Sequence, residues 1–449
     1  MADRETLKNK VCEVIAQHGE RIVGLGETIM DNPELGFKEH KTAQRVKDEL
    51  NELGLSFEDE LALTGVKAVL RGKKPGPTIA LMGELDSLIL PDHPRANAAT
   101  GAAHACGHNA QIAGLMGAAI GLTKAGVAEH LSGNIVFFAI PAEEYVEIDY
   151  RASLVKEGKT TFLGGKPELV KLGHFEDVDM AVMIHTSSPE MSDGSMGVGV
   201  SSNGFLAKTI RFLGRATHAG VSPEKGVNAL SAAQLALNAI DAQRSTFRDQ
   251  DWVRVHPIIT KGGDIVNIVP AEVCMETYVR AKSQEAIEDA AYKVDRAVRG
   301  AAMALGCQVE IETVPGYMPL DNDRELAKLF KENAARIFGQ DAYRDYPHSA
   351  GSTDAGDLSQ LMPVLHPSMT GGKGTLHGID WHISQPDQGY LAPAKTLAMM
   401  AVDLLAEDAT QGKEVKEKSR PAMTREQYLK VQEKVFNREV FDGVSATSL

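Results

Sequence analysis

Cysteine, histidine and glutamate recur in this chain at places where they could gather around a metal ion. In "HACGHNAQ", residues 104–111, Cys106 and His108 form a Cys-x-His arrangement able to offer a thiolate and an imidazole to one metal cluster. The bland alternative is a buried thiol and a capping histidine at a helix start. Further on, "IPAEE" places Glu143 and Glu144 side by side after an apolar run. Adjacent residues after a strand point in different directions, so one carboxylate can bind metal while the other faces substrate as a base. Metal-assisted hydrolysis needs that division between activating a water and taking its proton. His185 closes the run "DMAVMIH", and His377 lies in "GTLHG". A thiolate is soft and a carboxylate hard, so the mixture suits a borderline ion such as zinc, manganese or cobalt.

The elements around these residues read as α/β. "TIALMGEL", "NIVFFAI" and "DMAVMI" are continuous apolar runs, as expected of strands buried on both faces. Two of them end in the glutamate pair and in His185, at the carboxyl edge where open α/β sheets bind ligands. "NAQIAGLMGAAIGLTKAG" reads as a small-residue helix packed closely on a sheet. Around residue 200 the texture changes to strand, helix, strand, strand, helix, strand, which predicts a small α+β unit over 203–314. The 449 residues are too many for one core, so the remainder, 1–202 and 315–449, forms the other domain. The charged tail after about 408 carries one helical stretch, "TREQYLKVQEKVF".

The net charge of −14 disfavours nucleic acid and anionic membranes as partners. Cys12, Cys106, Cys274 and Cys307 are too dispersed to suggest a disulfide framework. The start, "MADRETLKNK", has no apolar run behind it, and no stretch is long and apolar enough to span a bilayer. These readings favour a cytoplasmic protein.

Taken in order, "HACGHNAQ", "IPAEE", the strand ending in "IH", "GRATHAG", "NIVP", "STDAGDLS" and "GTLHG" resemble the zinc-dependent aminoacylase and carboxypeptidase superfamily. The chain looks most like the branch of indole-acetyl-amino-acid hydrolases and p-aminobenzoyl-glutamate hydrolases, and "NPELGFKEHKTAQRV" matches that branch too. The resemblance implies a metallopeptidase-like catalytic domain, with a central mixed sheet flanked by helices and an inserted ferredoxin-like lid and dimerisation domain. It implies two divalent ions held by Cys106, His108, Glu144, His185 and His377, with Cys106 as the bridge. Glu143 would be the general base, and Asp86 in "GELDSL" would orient a ligand histidine. His218 would stabilise the oxyanion, usually across a homodimer, and Asn267 and Arg280 would hold a substrate carboxylate. The implied activity is cleavage of an N-acyl amino acid, an aryl-amido amino acid or a dipeptide, a small-molecule amide in each case.

The chain also departs from that pattern. Asn109 stands where the indole-acetyl branch commonly has aspartate. The stretch 145–173 is a long insertion, expected to edge the pocket. The last ligand has two candidates, His377 and His382, with the surrounding motif favouring His377. His104, His348 and His366 are read as solvated or capping, and Asp354 as a pocket acid or a turn residue. Two other classes remain: a non-catalytic subunit that keeps the fold, and a Cys-His nucleophilic amidase, which would leave the glutamate pair without a task.

Overall fold

The apolar runs become the strands of one mixed sheet. In the computed structural model, which describes residues 3–445, they are β1 (Phe57–Leu61), β2 (Gly65–Arg71), β3 (Lys74–Glu84), β4 (Ser132–Ile140), β5 (Met180–Val182) and β6 (Val364–Leu365). Their order across the sheet is β1-β2-β4-β3-β5-β6. β1, β2 and β4 pair antiparallel, whereas β4, β3, β5 and β6 run parallel. The parallel registers set Glu84 beside Ile140 and Leu81 beside Val182. Whatever follows Glu84, Ile140 and Val182 therefore leaves the sheet at the same carboxyl edge. Asp86, the Glu143–Glu144 pair and His185 all lie within a few residues of those ends.

Helix α1 (His108–Lys124) is buried along nearly its whole length, as an all-round apolar helix must be. With a later helix, Ala392–Leu405, it joins Ile79 and Leu81 of β3 and Ile135 and Phe137 of β4 in one core. Each such aliphatic side chain contributes about 1.5–3 kcal/mol when fully buried. Two shorter helices, α2 (Ile148–Lys156) and α3 (Gly165–Leu172), come from the insertion that follows the glutamates. These elements belong to the unit formed by Met1–Ser201, Asp321–Pro347 and Asp357–Arg425.

The second unit comprises Ser202–Leu320, His348–Gly356 and Glu426–Leu449. Its sheet is antiparallel, built on Gly204–Leu213 between Glu272–Ala281 and Gln308–Pro315. Glu272–Ala281 alternates buried and half-buried residues, the mark of a sheet with one covered face. Helices Ala229–Ala242 and Gln284–Leu305 cover it, placing Ala232, Ala236, Val294 and Val298 against Ile210, Phe212, Val273 and Met275. Asn228 and Ser283 cap the two helices through their side chains.

The chain's end departs from the sequence expectation, which kept all of 315–449 with the larger domain. Asn437–Asp442 forms a strand that pairs antiparallel with Gln308–Pro315, so the tail extends the sheet of the second unit. Residues 315–320 and 348–356 also group there. A six-residue edge strand in a charged segment has too little alternation to reveal its partner.

Candidate metal centre

Cys106 and His108 flank Gly107, whose φ of 88° turns the chain into α1. A β-carbon there would be strained by that backbone conformation and would come within 3.1 Å of Thr186. Glu143 and Glu144 follow β4 through a turn in which Ala142 has φ 56°. His185 follows β5, and His377, with φ 61°, is tied to this region by donating its backbone N–H to the Ala105 carbonyl at 2.8 Å.

These residues form two donor sets that share one atom. Cys106, His108 and His185 make the first, and Cys106, Glu144 and His377 the second. Within each set the potential ligand atoms lie within 4.8 Å of one another. Cys106 Sγ is 3.4 Å from His185 Nε2, and Glu144 Oε1 is 3.3 Å from His377 Nε2. A thiolate shared by two triads is the arrangement a bridged pair of cations requires. His382 belongs to neither set; it is exposed, with Nδ1 2.9 Å from the Asp380 carbonyl oxygen.

The backbone fixes which ring nitrogen each histidine presents. His108 Nδ1–H donates to the Asp86 carbonyl oxygen at 2.9 Å, and His185 Nδ1–H to the Thr186 carbonyl oxygen at 2.7 Å. Each ring therefore leaves Nε2 for a ligand role, and that of His185 faces Cys106. Asp86 has a second attachment: its Oδ2 accepts the Glu144 backbone N–H at 2.8 Å, while Oδ1 lies 3.4 Å from His108 Nδ1. His108 Nε2 and Glu144 Oε1 are buried yet make no hydrogen bond. Buried polar atoms of that kind call for an explanation, and a divalent cation between the donors supplies one. The donor set thus fits two such ions.

Charge and burial oppose each other here. Burial alone would lower the His108 pKa, but Glu84, Cys106 and the hydrogen bond to Asp86 outweigh it and hold it well above the ordinary value. Burial, reinforced by Glu144, pushes the Cys106 thiol well above its usual range. A coordinated cation reverses that, because a ligating thiol is deprotonated. Cys106→Ala is accordingly expected to lower metal occupancy as well as rate. Metal analysis of the purified variant checks this, and full occupancy with ordinary activity would return Cys106 to a packing role.

Glu84 was not anticipated as a site residue. It is fully buried, with Oε1 2.6 Å from Lys166 Nζ and Oε2 accepting from Gln111 Nε2 at 2.7 Å. Oε2 also lies 3.1 Å from His108 Nε2. The signal for Glu84 was its place as the last residue of an apolar strand, two positions before Asp86. Glu84, His108 and Glu143 also fall within ligand distance of one another, but Lys166 and Gln111 already engage Glu84.

The three histidines expected to be solvated or capping are buried or half-buried. His104 is buried with neither ring nitrogen hydrogen-bonded, and burial lowers its pKa to about 3. His366 packs its ring 5.6 Å from that of His185, and burial likewise brings it to about 3. His348 is buried in the second unit, its Nε2 2.8 Å from Asn203 Oδ1. Asp354 lies in a turn and is fully buried.

His218, Asn267 and Arg280 belong to the second unit. His218 is exposed, and its Nδ1 accepts from the backbone N–H groups of Gly220 (3.1 Å) and Val221 (3.2 Å). Asn267 is exposed in a turn beside Ile268, which bridges to His218, and its carbonyl accepts from Ala219 N–H at 2.9 Å. Arg280 lies beside the Phe205 and Tyr278 rings, at 5.2 and 5.4 Å, and donates from Nη1 to Ser352 Oγ at 3.0 Å.

The pattern of Peptidase family M20/M25/M40 matches residues 80–403, a span that holds both donor sets. The chain belongs to this family. Among M20 relatives, it is 30% identical to the Xaa-Arg dipeptidase of Homo sapiens, over 90% of each chain. It is 25% identical to the IAA-amino acid hydrolase ILR1-like 4 of Arabidopsis thaliana, over 76% of this chain and 75% of that one. The M20 fold recurs in a dinuclear metal binding peptidase of Bacillus subtilis, at a TM-score of 0.66 and 22% identity, covering 87% of this chain and 99% of that one. Among the described residues, no helix is long and apolar enough to cross a membrane.

Proposed function

We propose that this M20 protein is a metal-dependent amidohydrolase that cleaves a dipeptide, an N-acyl amino acid or an aryl-amido amino acid. The observation that carries the reading is the sharing of Cys106 by two donor triads, with Glu143 outside both. Relatives named as a dipeptidase and as an amino acid hydrolase support that range of substrates.

Cys106, His108, Glu144, His185 and His377 would hold two divalent ions, zinc or manganese, with cobalt a workable substitute. When bound, such ions supply Lewis acidity and a water that ionises near neutral pH. The chain's own residues do the rest. Glu143 Oε2 lies 3.9 Å from His108 Nε2, so its carboxylate borders the donor sets and can take a proton from an attacking water. The same carboxyl then gives that proton to the leaving amine. His218 offers an N–H to the developing oxyanion, and Asn267 and Arg280 take the substrate carboxylate. We assign the second unit as a lid that also forms a homodimer, and place the protein in the cytoplasm. All four cysteines are free, which supports a reducing compartment.

The 3.4 Å contact between Cys106 and His185 also suits a nucleophilic thiol. Burial and Glu144 raise the Cys106 pKa, the opposite of what a thiolate nucleophile needs. Nor does a non-catalytic subunit account for a complete donor set beside a carboxylate base. Chelation separates the three. Metal removal is expected to abolish amide hydrolysis, and Mn²⁺, Zn²⁺ or Co²⁺ to restore it, in an assay over dipeptides, N-acyl amino acids and aminobenzoyl-glutamate. Full activity in verified metal-free protein would overturn the reading.

A further inference from the structure

The turn that carries Glu143 and Glu144 is held from stretches of chain to which the functional reading gives no role. Ala142 lies at φ 56°, a conformation an alanine adopts only when its surroundings impose it. Its backbone N–H donates to Glu39 Oε1 at 2.8 Å. Glu39 is fully buried, and its other oxygen accepts from Thr64 Oγ1 at 2.6 Å. The Ala142 carbonyl accepts from Arg151 Nη1 at 3.3 Å and from Gly165 N–H at 3.2 Å. Arg151, 1% exposed, also donates from Nη2 to the Glu144 carbonyl and from Nη1 to the Leu163 carbonyl at 2.6 Å. Asp86 takes the Glu144 N–H. The backbone polar groups of Ala142 and Glu144 are thus all engaged, and two buried side chains, Glu39 and Arg151, make half of the six bonds.

Packing closes the same place. A β-carbon on Gly36 would come within 2.3 Å of Arg151 Nη2 and 3.0 Å of Ala142 Cα. The N-terminal stretch "NPELGFKEHKT" therefore supplies both the carboxylate acceptor and the clearance for the guanidinium. The insertion supplies Arg151 from α2, with Phe37 and Tyr145 beside its guanidinium plane, at 5.4 and 6.0 Å. A planar donor fork suits several carbonyls at once, a task a lysine cannot duplicate.

We propose that Glu39 and Arg151 are positioning residues that together hold the strained Ala142 turn, and so aim Glu143 as base and Glu144 as ligand. This rests on the amidohydrolase reading for its rate effect, but not for its effect on ligand geometry. Glu39 is to be replaced by Met, which loses the acceptor for Ala142, and by Gln, which keeps an oxygen there; Arg151 is to be replaced by Met. Each cobalt-loaded variant is assayed for kcat and KM and for the Co²⁺ absorption spectrum. Glu39→Met and Arg151→Met are expected to lose about ten- to a hundredfold in kcat, with KM changed far less, because small misplacements of reacting groups cost that much. Their cobalt bands should shift, and Glu39→Gln should retain the wild-type spectrum and most of the rate. Folded Met variants with wild-type kcat and spectrum would overturn the proposal. So would a Gln variant as impaired as Glu39→Met, or failure of both Met variants to fold, which would assign the residues to the fold alone. If wild-type protein binds cobalt but hydrolyses none of the amides, the functional reading falls, while the spectra still decide the clamp.

Discussion

Glu143→Gln is expected to lower kcat by about 10²–10⁴-fold, some 3 to 5 kcal/mol of barrier, while metal content stays near normal. The amide keeps the carboxylate's shape but cannot accept the proton. Glu144→Gln is expected to fail differently. Glu144 Oε1 sits 3.3 Å from His377 Nε2 in a donor set with Cys106, so its loss should deplete metal and take activity with it. Glu143 falls instead beside His108 and Glu84, and Glu84 is already bound by Lys166 and Gln111. That arrangement supports the proposed role of Glu143 as base rather than ligand. Metal analysis beside single-substrate kinetics separates the two variants. Depletion in Glu143→Gln with retention in Glu144→Gln would exchange the two roles.

The central strands were legible because their burial on both faces forces apolar runs that no surface segment would carry. "TIALMGEL" and "NIVFFAI" pair in parallel, so their polar ends had to meet at one edge. That alone brings Asp86 and the glutamates together. What holds those residues was not legible. Glu39 reaches Ala142 across 103 positions and Lys166 reaches Glu84 across 82. Neither contact leaves a local pattern, because a lone charged residue in a polar stretch is usually solvated. The insertion shows the same limit: nothing in its sequence marks Arg151 and Lys166, yet they are among the most buried side chains of the protein. His104 and His366 carry no spacing signal that separates them from solvated or capping histidines, and burial keeps both neutral. The motif favours His377 over His382, and the backbone tie from His377 to Ala105 supports that reading.

His218→Ala is expected to cost about 10²–10³ in kcat, the usual effect of removing one oxyanion donor, without loss of metal. The structure bears on this through the tautomer. Nδ1 accepts two backbone N–H groups, so the ring's proton sits on Nε2, and the exposed side chain offers an N–H donor rather than a base. Its second unit holds none of the residues of the two donor sets, which leaves open which protomer's substrate it serves. Mixing two inactive variants answers that. In a heterodimer of His218→Ala with Glu143→Gln, one site has an intact base and receives His218 from its neighbour, while the other has neither. Random exchange at equal mixing makes about half the dimers mixed, each with one working site, so recovery should approach about a quarter of wild type. The comparison is with each variant alone at the same total concentration, after subunit exchange has been demonstrated with differently tagged chains. If exchange proceeds and no activity returns, His218 serves its own chain or does not touch the reaction. If activity returns, neither protomer is a complete enzyme: each chain's metal centre depends on an imidazole that only its partner can deliver.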